Sequence, residues 1–166
     1  MIAHASDLVS DGAAGYGLRS YWKSTYLKDL TDEGIDTFLD FARRCPSPRT
    51  ILLLEHYHGV PDRVAPTETA FHVRDHAFNA VLVSLWADAA DDPKNIEWTR
   101  AFYSALQPWA AGAVYVNALS EDDAGRINEA YGPNYARLAA IKTKYDPENR
   151  FRRNQNIRPQ PLAAAV

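Results

Sequence analysis

The run Phe78 to Ala87, FNAVLVSLWA, constrains the fold of this chain more than any other stretch. It is apolar nearly throughout and closes at Asp88, which makes it the strongest strand signal present. Two further runs read the same way. Leu18 to Leu27 is aromatic-rich between Gly17 and Asp29, and Thr50 to Tyr57 (TILLLEHY) ends at the His58-Gly59 turn. Ala113 to Leu119 reads as a fourth strand.

Helical spacing fills the gaps. Thr31 caps a segment in which Ile35, Phe38, Leu39 and Ala42 recur at i, i+3, i+4 and i+7 before Pro46 stops it. Asp92-Pro93 opens a second helix with Trp98, Ala101, Phe102, Ala105 and Leu106 on one stripe. Strand, helix, strand, strand, helix, strand is the order of the split βαβ unit. The expected class is therefore α+β, a ferredoxin-like four-stranded antiparallel sheet with both helices on one face. Glu121 to Tyr131 and Asn134 to Tyr145 read as C-terminal helices, followed by an irregular tail. Residues 1–17 read as a linker or frayed start, 18–119 as the sheet domain and 120–166 as a closing segment.

At 166 residues, 46% of them hydrophobic, the chain suits one globular domain. A net charge of −3 without a basic block argues against a nucleic-acid partner. Cys45 is the only cysteine, which rules out an internal disulfide and a cysteine-based zinc site. His56 and His58, and His72 and His76, are pairs without an implied third ligand, so no metal is expected. No signal-peptide or membrane-spanning pattern is visible, and the expected location is the cytoplasm without membrane contact.

Alternation along the strands divides each into a face for the helices and an open face. Leu52 and Leu54, and Val114 and Val116, suit the helices, which leaves Glu55, Tyr57, Tyr115 and Asn117 opposite. On the first strand Trp22 and Tyr26 suit the packed side, and Tyr21 and Lys23 the open one. Phenol, carboxylate, carboxamide and ammonium on one surface are groups that a proton-abstracting site uses. A phenol is a weak base at neutral pH, and Lys23 is the cation expected to assist it.

Gly17-Leu-Arg-Ser-Tyr-Trp-Lys-Ser24, Leu54-Glu-His56, Thr69-Ala-Phe71 with Arg74, Trp86, Tyr115-Val-Asn117, Tyr131-Gly-Pro-Asn-Tyr135 and the run Tyr145 to Ile157 form an ordered set. That set resembles the C-terminal portion of bacterial berberine-bridge-like FAD-linked oxidases. The resemblance implies an FAD cofactor, a small-molecule substrate and hydride transfer from an alcohol, amine or sugar carbon to the flavin. It implies Tyr115 as proton acceptor, with Glu55 as the second catalytic residue, contacting the substrate, and Asn117, Asn154, Gln155 and Asn156 near the cofactor. Tyr21, Lys23 and Tyr57 are the expected substrate contacts. No glycine-rich pyrophosphate loop precedes these motifs, so a separate FAD-binding domain or chain is expected as partner. The alternative is a non-catalytic α+β domain that dimerises, or binds a small ligand, through its open sheet face.

Overall fold

The structure, a computed structural model, describes residues 16–161 apart from 75–77, 120 and 154. Its sheet is built from β1 (Arg19–Leu27), β2 (Ile51–His56) and β3 (Phe78–Trp86), antiparallel in the order β1-β3-β2. The apolar run that reads most strongly as a strand is thus the central one, paired on both sides. Leu27 faces Phe78, Lys23 faces Leu82 and Leu53 faces Val81.

Two helices cover one side, α1 (Asp32–Arg43) and α2 (Asp92–Leu106). Thr31 caps α1 as the sequence suggests, its hydroxyl oxygen accepting from the Gly34 amide at 3.1 Å. Leu27, Ala80, Leu82, Phe102 and Leu106 form the buried centre between helices and sheet. Phe102 is completely buried, stacked on Phe41 at 4.7 Å and edge-on to Phe38 at 5.1 Å. Fully burying a side chain of this size stabilises by about 1.5–3 kcal/mol.

The expected fourth strand does not form. Ala110 makes one bridge to Leu27, and the Ala111 amide donates to the Tyr26 carbonyl at 2.8 Å. Gly112 then takes a φ of +73°, a left-handed turn that carries the chain off the edge of β1. Val114 packs instead with Leu119 and Ala130, and Val116–Ala118 is a 3₁₀ turn. The alternation that reads as a strand serves a helical neighbour.

A second correction concerns β1. Because Leu27 belongs to the helix-side core, a period of two places Thr25, Lys23, Tyr21 and Arg19 on that side as well. Trp22 and Tyr26 lie on the open face. Lys23 is 6% exposed, and its ammonium meets Asp123, itself 5% exposed, at 2.7 Å. The rings of Tyr21 and Tyr103 flank it, with centroids 5.6 and 5.7 Å away. A long-range partner, 100 residues on, makes a buried lysine tolerable there.

The closing segment comprises a 3₁₀ run Glu121–Arg126, α3 (Ile127–Tyr131) and α4 (Tyr135–Tyr145). Between the helices Gly132 holds φ +48°, and a Cβ there would lie 2.7 Å from the His72 ring. Asn134 donates to the carbonyls of Pro66 and Thr69 at 2.7 and 3.0 Å, which fastens α4 to the 66–74 loop. Among the described residues no helix is long and apolar enough to cross a membrane.

Candidate functional site

The open face of the sheet carries three rows of side chains in register. Trp22, Val83 and Ile51 form the first, Ser24, Val81 and Leu53 the second, and Tyr26, Asn79 and Glu55 the third. Chemistry changes along the rows. The first two are apolar apart from Ser24, which is 2% exposed, and the third is polar. A cleft of about 180 Å³ lies over them, lined also by Tyr115, Asn117 and Ala118.

Glu55 is the exposed acid of this cleft. Its Oε2 accepts from the Asn79 carboxamide at 2.9 Å and from the Tyr57 hydroxyl at 3.4 Å. No hydrogen bond engages Oε1 among the described residues, so one carboxylate oxygen is fixed and the other is available. Asn79 is completely buried, its remaining oxygen Oδ1 has no partner among the described residues, and sequence reasoning did not single it out. The signal was present as one carboxamide inside a strand whose only other polar side chain is Ser84.

Tyr115 enters from the segment that leaves β1. Its hydroxyl oxygen accepts from Asn117 Nδ2 at 2.8 Å, which fixes the ring and leaves its own proton as a donor. Tyr57 stands beside this pair, edge-on to Tyr26 at 5.7 Å and stacked with Phe71. Burial, then the Glu55 charge, raises the Tyr57 pKa above the ordinary phenol value. Burial, then the neighbouring phenol of Tyr57, raises Tyr26 further. Both phenols remain protonated at neutral pH, which excludes them as proton acceptors and leaves them as donors.

Glu55, Tyr57, Tyr115 and Asn117 are therefore brought together. Tyr21 and Lys23 are not, because both face the helices. The Tyr21 hydroxyl donates to Asp122, which is also paired with Arg100 at 2.6 Å. Lys23 holds Asp123, so it is not the cation expected beside Tyr115.

In the tail, Gln155 donates to the Leu119 carbonyl at 2.9 Å and so ties the end of the chain to the Tyr115–Leu119 segment. Asn156 has a buried Oδ1 without a partner among the described residues. Asn154 lies outside the described residues. No group of three or more His, Cys, Asp or Glu among the described residues could hold a metal ion.

A flavin has two parts to accommodate. The Asn117 carboxamide at the cleft rim, whose oxygen lies outside its hydrogen bond to Tyr115, suits an N–H of a flat ring system. The described glycines with positive φ, Gly17, Gly59, Gly112 and Gly132, are scattered and make no loop that would wrap a diphosphate. The donor set fits the ring and not the diphosphate.

Residues 114–158 match the family model described as berberine and berberine like. The chain is 31% identical over 132 residues to the uncharacterized FAD-linked oxidoreductase YgaK of Bacillus subtilis (strain 168), covering 80% of this chain and 29% of YgaK. Its fold superposes on CrmK, a flavoenzyme involved in shunt product recycling in caerulomycin biosynthesis, with a TM-score of 0.79 at 25% identity, over 92% of this chain and 35% of that one. It also superposes on the glycopeptide hexose oxidase DBV29, solved with teicoplanin, with a TM-score of 0.75 at 25% identity, over 86% of this chain and 33% of that one. The chain spans about a third of the length of these proteins. In sequence and in fold the chain is similar to about a third of the berberine-like, FAD-linked oxidoreductases, whose cofactor is FAD.

Proposed function

We propose that the chain is the substrate-side and closing region of an FAD-linked oxidoreductase that oxidises an alcohol, amine or sugar carbon of a small molecule. One observation carries this reading. At the polar end of an apolar cleft, Asn79 and Tyr57 hold Glu55 Oε2 and leave Oε1 open, beside Tyr115 and Asn117. FAD, when bound, supplies the hydride acceptor.

This chain's residues orient the substrate and remove a proton. Asn117 fixes the Tyr115 hydroxyl, which hydrogen-bonds the reacting oxygen or nitrogen. Glu55 takes the proton as the carbon gives up its hydride, so that an alcohol becomes a carbonyl. With Lys23 on the other face, the carboxylate is the better acceptor and Tyr115 the positioning donor. The apolar floor excludes water from the reacting carbon. Asn117, Gln155 and Asn156 are the residues that would border the ring, and the diphosphate requires a further domain or chain.

The test joins the chain to the FAD-binding region of a relative and follows anaerobic bleaching of the oxidised flavin by alcohols, amines and sugars. Bleaching by one of these classes is expected. Glu55→Gln should slow it about 10²-fold or more with flavin content unchanged. A flavin-loaded fusion that none of the three classes reduces would overturn the proposal.

A further inference from the structure

We infer that the cleft takes an extended apolar alcohol, with its hydroxyl at the Glu55 end, and discriminates against sugars. The inference rests on the oxidoreductase reading for what is done to the ligand, and on the three side-chain rows for what the ligand is.

The cleft has a chemical direction. Trp22, Ile51, Val83, Leu53 and Val81 make its floor through two successive rows, and polar function begins only at the third, with Glu55. The Ser24 hydroxyl between them is sealed beneath its neighbours and offers a ligand nothing. From the Trp22 row to the Glu55 row is four residues along a strand, about 13 Å. A ligand that fills this length with apolar surface and ends in one hydroxyl matches every group along the way.

A hexose does not. Its hydroxyls surround the ring, and each one buried without a partner weakens binding. The polar atoms offered are few. One Glu55 oxygen is held by Asn79 and one of the two Asn117 N–H groups by Tyr115, which leaves Glu55 Oε1, the Tyr115 proton, and the second N–H and the carbonyl of Asn117, all at one end. An indole such as Trp22 can stack on a sugar face, but the opposite hydroxyls would then meet Ile51, Leu53, Val81 and Val83. Trp22, 42% exposed, is better placed to stack on an aromatic ring.

The length of the floor sets a second discrimination. A one-ring alcohol hydrogen-bonded at Glu55 stops short of Trp22, and a two-ring alcohol reaches it.

The experiment needs no flavin. The 166-residue chain is titrated with biphenyl-4-ylmethanol, benzyl alcohol and glucose while NMR follows the Trp22 indole and the methyl groups of Ile51, Leu53, Val81 and Val83. Saturable shifts at these groups are expected with biphenyl-4-ylmethanol, binding about tenfold tighter than benzyl alcohol, and none with glucose. Trp22→Ala, a change at an exposed position, should remove the preference for the longer alcohol. Glucose binding at these groups as tightly as the biphenyl alcohol, or no saturable shift with the biphenyl alcohol, overturns the inference. In the flavin-loaded fusion, glucose turnover without biphenyl alcohol turnover sinks the inference and leaves the oxidoreductase reading intact. Binding in the cleft with no turnover of any alcohol, amine or sugar does the reverse.

Discussion

Removing Asp123 should cost this fold more than any other single change on its surface-proximal turns. Asp123 and Lys23 are 5% and 6% exposed and 2.7 Å apart, and Asp123→Ala leaves a buried ammonium without its carboxylate. Arg126, 3.5 Å from the other oxygen of Asp123, loses its contact too. Breaking such a pair from one side costs about 3–5 kcal/mol, most of it the penalty for an uncompensated buried charge. For a domain of this size that lowers the melting temperature by about 6–20 °C. With a urea m-value of about 2 kcal/mol/M, the midpoint falls by about 1.5–2.5 M. The double variant Lys23→Met with Asp123→Leu removes both charges and should return to within about 1 kcal/mol of the parent. Urea titrations followed by far-UV circular dichroism measure all three proteins. A midpoint shift below about 0.5 M for Asp123→Ala, or a double variant as damaged as the single one, refutes the reasoning.

Four further outcomes are expected. Phe102→Ala empties the centre of the helix-side core and should destabilise by about 3–5 kcal/mol in the same titration. Gly132→Ala brings a Cβ within 2.7 Å of His72 at a φ of +48°, with a loss of about 1–3 kcal/mol. Adding His72→Ala relieves the clash and leaves the backbone part of that loss, so full recovery would contradict the account. Asp146 is held below the ordinary carboxylate range chiefly by Lys142, with help from the amides of Arg150 and Phe151. A depressed folded pKa contributes stability above the unfolded value of about 4, lost as pH falls below it, so Asp146→Asn should flatten the acid limb of a pH–stability curve. The chain purified alone should be colourless after incubation with FAD and gel filtration, and stoichiometric retention of the flavin would show that the diphosphate site is already present.

Three strands and two helices were legible because their apolar spacing differs, period two against 3.6, and because Thr31 and Asp92-Pro93 mark where helices begin. The open face of β2 was legible for the same reason, since Glu55 and Tyr57 share a parity opposite Leu52. The orientation of β1 was not. Tyr21, Trp22 and Tyr26 put aromatic rings on both parities, so pattern alone could not choose. The choice is made by Leu27 in the core and by a carboxylate 100 residues away that shelters Lys23. The segment after Ala113 misled differently. Its alternation was real, but a left-handed Gly112 and an apolar neighbour at Ala130 redirect it, and neither a backbone angle nor a distant partner is written in local periodicity.

The wide sequence separation of the contacts that hold the closing segment has a consequence for biosynthesis. Asn134 reaches back 68 residues to Pro66, and Asp123 reaches back 100 to Lys23. All of β1, β2 and β3 is synthesised before the residues that rim and anchor the cleft. At about 5–20 residues per second the sheet emerges from the ribosome about 1.5–10 s ahead of Tyr115, Asp123 and Asn134. During that interval the floor of Trp22, Ile51, Leu53, Val81 and Val83 is an uncovered apolar surface on a nascent chain. Pausing late in translation should therefore favour aggregation or chaperone capture, whereas pausing before β3 should not. The feature that shapes the binding cleft also sets the moment at which the young protein is most vulnerable.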